Sequence, residues 1–240
     1  DPGRRPGGKR ILSLHRSEPP VPAILDRVTR FRPIPELVGI KVAPGVPSME
    51  WQAFAGEVEF ISDRGELKEC VLWWSPGGSK TVRATILPGP VTLTATGEKC
   101  VTEVQPPGRY LYDPDPAVTR SGLVDVLATQ LGAWFISPGI AFLSSDVLQL
   151  SPWATTYQIE EVLPFQPKKV SLWLKSRGIG RVTLVKRGSS IDTEELLRRW
   201  KLKGDANCSV ILTRTSSQNV AIIAIRIENP ASQTVTSPHR

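Results

Sequence analysis

The sequence has few residues of the kinds that build disulfide frameworks, metal centres and catalytic triads. Its 240 residues include three cysteines, two histidines and one methionine. Cys70, Cys100 and Cys208 are isolated, with no CxxC pair and no metal-ligand spacing. With only His15 and His239 present, neither a Ser-His-Asp triad nor a His-based zinc site is expected. We therefore expect no metal, and unpaired thiols in a reducing compartment, the cytoplasm.

Long apolar runs are also missing. No run approaches the roughly 18–20 residues that a helix needs to span a bilayer, so we expect no membrane partner. The composition, with 40% hydrophobic and 22% charged residues, is typical of a globular protein. The length leaves room for one or two domains with cores of their own.

Positive charge is concentrated near the end of the chain. Residues 166–227 contain thirteen basic and four acidic residues, a net charge of +9 in a chain whose net charge is +7. A one-sided basic segment indicates a polyanion as partner, although a solvated surface gives the same pattern. The residues that we expect to contact RNA phosphates are Lys168, Lys169, Lys175, Arg177, Arg181, Lys186, Arg187, Arg198, Arg199, Lys201 and Lys203.

Two β-hairpins are predicted in the first hundred residues. The segment Glu57–Trp74 is rich in β-formers on both sides of a three-residue loop ending in Gly65, which suits a left-handed position. A second hairpin is predicted to join residues 82–87 to 91–95 through Pro88-Gly89-Pro90. A short apolar run at 36–44, bounded by prolines, fits a buried strand.

The second half of the chain alternates helical and strand patterns. A helix is predicted from Asp115 or Pro116 to about Leu131, followed by short strands at 133–136, 140–143 and 156–163. Residues 166–227 then follow the order helix, strand, helix, strand, strand, which places two helices on one face of a small sheet. The last residues, 228–240, are predicted to be a disordered tail.

The Tyr110–Pro116 segment has two interpretations. It could be a base-stacking platform, or it could supply core packing followed by an Asp/Pro helix start, and the second is favoured. For Trp73-Trp74, neighbouring strand residues face opposite ways, so at most one of them lies in the core.

Six segments carry a resemblance to a known family. They are DPGRR (1–5), GIKVAPGVP (39–47), EVEFISDRGELKECVLWW (57–74), GRYLYDPDPAVTRSGL (108–123), and the pair RGIGRVTLVKRG (177–188) with RRWKLKGD (198–205). Taken together and in this order, over residues 1–227, they resemble the THUMP-like-domain class I S-adenosylmethionine-dependent methyltransferases.

The resemblance implies an α/β plus α+β fold. Residues 1–100 would be the C-terminal strands of a Rossmann-like methyltransferase sheet, followed by a ferredoxin-like unit at 106–165 and a THUMP-like basic unit at 166–227. It also implies that Asp1-Pro2 is the acceptor motif, and that S-adenosylmethionine is the donor in the parent family. No strand–glycine turn–helix pattern for the donor is found in the sequence, so we expect this chain alone to lack the donor-binding half.

The resemblance also assigns catalytic roles to Asp1, Pro2 and Arg4. The Asp1 carboxylate and the Pro2 carbonyl would accept hydrogen bonds from the target amine and orient it, and Arg4, where an aromatic residue is usual, would stack on the base. Asp-Pro-x-Arg also resembles the motif of uracil-carbon methyltransferases. Those need a nucleophilic cysteine after the next strand, and residues 39–47 contain none, so that chemistry is disfavoured.

Two functions follow as hypotheses. The first is a part of an RNA methyltransferase, acting on tRNA or rRNA, whose basic C-terminal unit docks the RNA. The second is a non-catalytic RNA-binding or scaffolding module.

Overall fold

The structure, a computed structural model, describes residues 12–95, 102–188 and 191–229. Over these ranges the chain forms two compact units. The first unit comprises residues 12–95 and 115–126, and the second comprises residues 102–114 together with the described residues from 127 onward. Asp1, Pro2, Arg4, Cys100 and the predicted tail from residue 230 onward lie outside the described residues.

The first unit is built on a mixed five-stranded sheet with the strand order β1-β3-β2-β4-β5. In this sheet β2 and β4 pair in parallel, and the other pairs are antiparallel. The strands are β1 (Val38–Val42), β2 (Glu57–Asp63), β3 (Glu66–Trp74), β4 (Thr81–Leu87) and β5 (Val91–Thr94). The helices of this unit are α1 (Val21–Thr29), α2 (Ser48–Gln52) and α3 (Pro116–Ser121).

Both predicted hairpins are confirmed, and the loop of the first is shorter than predicted. Asp63 pairs with Glu66, so only Arg64 and Gly65 form the loop, with φ of +50° and +78°. Two positive φ values are typical of the turn whose twist matches that of the flanking strands. A strand is confirmed within residues 36–44 as β1, but it is not the buried strand that was predicted. Only Ile40 and Val42 of β1 are buried, and β1 pairs only with β3 among the described residues, so it is an edge strand there.

The two faces of this sheet differ in polarity. One face carries fully buried apolar side chains, among them Val58 and Leu72. The positions next to these along the strands point the other way and include Glu59 and Trp73. On that face, Trp73 and Arg83 donate hydrogen bonds to the Glu59 carboxylate. The period of two along each strand therefore separates an apolar core from a polar network.

The prediction of one helix over residues 115–131 is wrong, because the structure has two helices there. Asp115 caps α3 by accepting a hydrogen bond of 2.8 Å from the Ala117 amide. The helix ends at Gly122, whose φ of +77° is left-handed, and α4 (Val124–Leu131) follows. A glycine has no Cβ to oppose this conformation, so the helix stops inside an otherwise continuous apolar pattern.

The second unit is built on a mixed seven-stranded sheet with the order β10-β11-β12-β9-β6-β8-β7. In this sheet β10 and β11 pair in parallel, and the other pairs are antiparallel. Its strands are β6 (Tyr110–Pro114), β7 (Trp134–Phe135), β8 (Leu143–Ser145), β9 (Ala154–Pro164), β10 (Ile179–Lys186), β11 (Ala206–Arg214) and β12 (Asn219–Ile227). The helices α5 (Pro167–Ser176) and α6 (Thr193–Trp200) belong to this unit.

The predicted pair of helices on one sheet face is confirmed. Val170 and Leu174 of α5 form a single buried cluster with Leu196 and Trp200 of α6, and this cluster packs on alternate residues of β11 and β12. The Trp200 indole donates a hydrogen bond of 3.1 Å to the Pro167 carbonyl, which ties the end of α6 to the start of α5. Because one side of α5 and one side of α6 are buried in this cluster, the opposite side of each helix faces solvent.

The strands of residues 106–165 and 166–227 share one sheet. The 11-residue strand β9 pairs with β6 along its first half and with β12 along most of its length. A long central strand of this kind joins what the sequence divides into a ferredoxin-like and a THUMP-like unit. The fold class is confirmed as mixed α/β with two mixed sheets.

Candidate nucleic-acid interface

The basic residues expected to contact RNA lie on three consecutive elements and one loop of the second unit. Lys168, Lys169 and Lys175 belong to α5, and Arg177 follows it. The remainder lie on or just after β10, on α6, and in the loop that follows α6: Arg181, Lys186, Arg187, Arg198, Arg199, Lys201 and Lys203. Ten of the eleven are exposed, and Arg187 is half-buried.

The α5 lysines project from a face that the core does not use. Because Val170 and Leu174 are buried, the opposite side of the helix presents lysines around Leu172, which is 68% exposed. Arg177 lies over the Trp173 ring, 4.9 Å from its centroid. A cation stacked on an aromatic face keeps its charge while its position is restrained.

Arg187 has structural partners that the sequence did not indicate. Its Nε donates a hydrogen bond of 2.7 Å to Asp113 Oδ1, and its NH2 donates one of 3.0 Å to the Pro114 carbonyl. The guanidinium also lies 5.5 Å from the centre of the Phe142 ring. Arg187 therefore holds the turn after β10 to the end of β6, and fewer of its donors remain for a phosphate.

Two further candidates have local partners. The Lys186 ammonium donates a hydrogen bond of 3.0 Å to the Ile191 carbonyl. Arg199 pairs with Glu195 one helical turn earlier, with both side chains more than half exposed. Such exposed pairs are weak, so these cations remain able to exchange partners.

The other cations on β10, on α6 and in the loop after α6 form no ion pair with a carboxylate in the part of the chain that the structure describes. They are Arg181, Arg198, Lys201 and Lys203, and each is exposed. Within residues 12–95, 102–188 and 191–229, none of the four lies within 4.0 Å of a carboxylate. These four cations, like the α5 lysines, are therefore available to an anionic partner.

The predicted acceptor motif Asp1, Pro2 and Arg4 lies outside the described residues. The structure does describe how the chain after this motif is anchored to the first unit. The Glu50 carboxylate on α2 accepts hydrogen bonds from the Ser13 hydroxyl, at 3.1 Å, and from the Leu14 amide, at 2.5 Å. One side chain thus holds residues 13 and 14 in place.

The described residues do not fit the methyl donor. A donor site of the expected kind needs a glycine-rich turn between a strand and a helix. The turns between β1 and α2 and between β10 and α6 each contain one glycine, Gly45 and Gly188. The turns between β6 and α3 and between β9 and α5 contain none. No step of a methyl transfer is therefore assigned to these residues.

The described thiols are unsuited to nucleophilic chemistry. Burial raises the pKa of Cys70 to about 12 and that of Cys208 to about 11. Both side chains are therefore neutral thiols at physiological pH, whereas the thiolate is the reactive form. This supports the sequence argument against a covalent cysteine adduct.

The Tyr110–Pro116 segment supplies core packing and a helix start, as favoured from the sequence. Tyr112 is fully buried, and its hydroxyl group lies 3.1 Å from the Ser145 hydroxyl and from the Val147 carbonyl.

Among the residues that the structure describes, no cluster of three or more His, Cys, Asp or Glu side chains could hold a metal ion. No helix in those same ranges is long and apolar enough to cross a membrane.

The sequence of this chain is similar to those of known proteins. Residues 154–226 match the sequence model of the THUMP domain-like family. The chain is 32% identical over 235 residues to two uncharacterized S-adenosylmethionine-dependent methyltransferases of Mycobacterium tuberculosis, from strains CDC 1551 / Oshkosh and ATCC 25618 / H37Rv. The match covers 96% of this chain and 63% of each relative, so the chain spans less than two thirds of their length.

The fold also matches a solved structure. A candidate methyltransferase from Porphyromonas gingivalis W83 superposes with a TM-score of 0.77 at 18% identity, over 95% of this chain and 59% of that protein. At this identity the match concerns the fold. The comparisons confirm the resemblance to S-adenosylmethionine-dependent methyltransferases, and residues 154–226 of this chain are similar to the THUMP domain-like family.

Proposed function

We propose that this chain is part of an S-adenosylmethionine-dependent methyltransferase that acts on RNA, either tRNA or rRNA. Residues 166–227 dock the RNA through their exposed lysines and arginines. The observation that carries this proposal is the position of the net charge of +9, which coincides with the part of the chain that is similar to the THUMP domain-like family. RNA recognised in this way is read mainly by its shape and its phosphates.

The domain interpretation from the sequence stays part of the proposal. Residues 1–100 serve as the C-terminal part of a Rossmann-like methyltransferase domain, residues 106–165 as a ferredoxin-like unit, and residues 166–227 as the THUMP-like basic unit. The similarity to methyltransferases along 96% of the chain supports the first assignment. A cytoplasmic location also stays a proposal.

The proposed chemistry places the target amine at the start of the chain. The Asp1 carboxylate and the Pro2 carbonyl accept hydrogen bonds from that amine and orient its lone pair, and the Arg4 guanidinium stacks on the base. S-adenosylmethionine supplies the methyl group in the parent family. Because the described residues lack a turn suited to the donor, we propose that this chain does not hold the donor by itself.

The second candidate function is a non-catalytic RNA-binding or scaffolding module. None of the described turns between strands and helices is suited to the donor. This favours the second candidate, because a non-catalytic module needs no donor. The two candidates share the RNA-binding surface and differ in whether the chain acts beside a donor-binding region.

Binding of the full chain to bulk tRNA across a salt series tests the shared claim. We expect micromolar affinity at low salt and a steep linear fall of log affinity with log salt concentration, because each neutralised phosphate releases counterions. No binding at low salt would reduce the basic face to a solvated surface. If an acidic polypeptide of similar charge bound with comparable affinity, the basic surface would not be specific for RNA.

A further inference from the structure

A groove in the second unit brings two of the available cations together. It lies between the first residues of β10 and the C-terminal end of α6, and its volume is about 400 Å³. The groove is largely open to solvent. The groove is lined by Gly180, Arg181, Val182, Leu197, Lys201 and Leu202.

The lining combines positive charge with apolar surface. Arg181 and Lys201 are exposed, and neither has an acidic partner within 4.0 Å in the ranges that the structure describes. Leu197 is 37% exposed on the same groove, although the neighbouring Leu196 is buried in the core. The two leucines are adjacent in the sequence and point in different directions from the helix. Leu196 therefore enters the core, and Leu197 lines the groove.

The groove is held by close backbone packing. A Cβ on Gly180 would lie 1.9 Å from the Gly204 carbonyl oxygen, and one on Gly204 would lie 2.1 Å from the Gly178 carbonyl oxygen. Only residues without a Cβ allow these segments to approach so closely. The loop after α6 therefore lies directly on the start of β10, which fixes one wall of the groove.

Lys201 occupies a backbone conformation that lysine rarely adopts. It caps the C-terminus of α6 with φ of +46°, in the left-handed region where glycine is usual. The left-handed cap ends α6 at Lys201, and Lys201 itself lines the groove.

We propose that this groove is the main RNA-contact site of the chain, with Arg181 and Lys201 each binding a backbone phosphate. The apolar wall at Leu197 then contacts the adjoining sugar or base. The inference rests on the proposed function and deepens it, because it selects two of the eleven candidate cations. Among the other candidates, Arg187 contributes to the fold through Asp113.

The test compares tRNA binding by full-length variants. Lys201→Gly removes the ammonium and relieves the left-handed strain, so the variant should fold at least as stably as the wild type. Arg181→Gln removes the second cation at an exposed position. Lys80→Gln is the matched control, because Lys80 is exposed, lies in the first unit and carries the same charge.

We expect each groove variant to bind tRNA about ten-fold more weakly and to lower the salt slope by about one, as the loss of one phosphate contact does. Lys80→Gln should bind within about two-fold of the wild type, because the control removes one charge outside the proposed contact site. Thermal unfolding checks that the variants are folded.

Two outcomes separate this inference from the proposed function. If the wild type binds tRNA with steep salt dependence while both groove variants bind as tightly as the wild type, the groove proposal is overturned and the proposed function stands. If the wild type does not bind tRNA at all, the proposed function fails, and the groove proposal fails with it.

Discussion

Single charged residues are buried in this protein where several hydrogen bonds compensate for the loss of water, as Glu59 illustrates. Glu59 is 6% exposed, and its carboxylate accepts hydrogen bonds from Trp73, Arg83 and Thr85. Burial raises the pKa of Glu59, but the hydrogen bonds from Thr85, Arg83 and Trp73 together hold it below its ordinary value of 4.5. The charged form is therefore the stable one in the folded protein.

Replacing Glu59 by Ala should cost about 3 kcal/mol of stability, because it leaves the Trp73 and Thr85 donors without their acceptor and leaves Arg83 with only Glu57 as a described acidic partner. Urea unfolding of the full chain measures this. Glu69→Ala serves as the control, because that side chain is 34% exposed and pairs with a similarly exposed Lys41, so its loss should cost less than about 1 kcal/mol. Equal costs for both variants would contradict the network.

The same carboxylate makes stability depend on pH. Because the folded pKa of Glu59 is lowered, its contribution is present above the ordinary value of 4.5 and is lost as the pH falls through the folded pKa. We expect the stability difference between the wild type and Glu59→Gln to shrink as the solution is acidified below pH 4.5. A difference that stays constant on acidification would count against this explanation.

We expect Arg187 to contribute mainly to the stability of the fold. Its ion pair with Asp113 leaves 27% and 19% of the two side chains exposed, so Arg187→Ala should cost about 2 kcal/mol. A double-mutant cycle with Asp113→Ala should give a coupling energy of about 0.5–3 kcal/mol. If Arg187→Ala unfolds like the wild type but loses tRNA binding, its role is in binding instead.

The sequence could not reveal this pair. Arg187 and Asp113 are separated by 74 residues, and a basic segment gives no sign of which cation pairs internally. The cysteines could be interpreted from the sequence, because their spacing alone argues against metal binding. In the structure, the described Cys70 and Cys208 are free and buried.

At the scale of elements, local chemistry made most strands and helices predictable. The strands and helices of residues 166–227 follow their hydrophobic periods closely, and both hairpins carry the glycine that their turns require. The break at Gly122 was missed because the apolar pattern of α3 and α4 is continuous. A single glycine inside a helical pattern does not by itself decide whether the helix ends.

The β2–β3 turn gives a prediction at this scale. Gly65→Ala should cost about 1 kcal/mol, whereas Arg64→Asn should stabilise the protein by about 0.5 kcal/mol, because Asn tolerates a positive φ better than Arg. A Cβ on Gly65 would meet no described heavy atom within 4 Å, so backbone conformation alone sets its cost. Thermal or urea unfolding measures both values, and a Gly65→Ala variant as stable as the wild type would contradict this turn.

At the scale of the whole molecule, the strand order was beyond prediction. β9 joins the sheet between β6 and β12, and β3 lies between β1 and β2. Such pairings depend on contacts between distant segments, which hydrophobic periods do not encode. The sequence nevertheless indicated the charged surface, because charge accumulates along consecutive elements.

The chain should not respond to the methyl donor. The described residues lack a turn suited to it, so S-adenosylmethionine at millimolar concentration should leave the melting temperature unchanged, since only ligands that bind the folded state raise it. Differential scanning fluorimetry measures this shift, with bulk tRNA as the positive comparison. A donor-dependent rise of several degrees would contradict the proposal that this chain does not hold the donor by itself.

Ultraviolet crosslinking of the chain to bulk tRNA, with the crosslinked peptides identified by mass spectrometry, tests the central claim most directly. The account predicts crosslinks within residues 166–227, with those near Arg181 and Lys201 among the strongest, and their loss at high salt. Crosslinks confined to residues 12–95 would contradict it, because the RNA would then contact the first unit instead of the basic surface of the second.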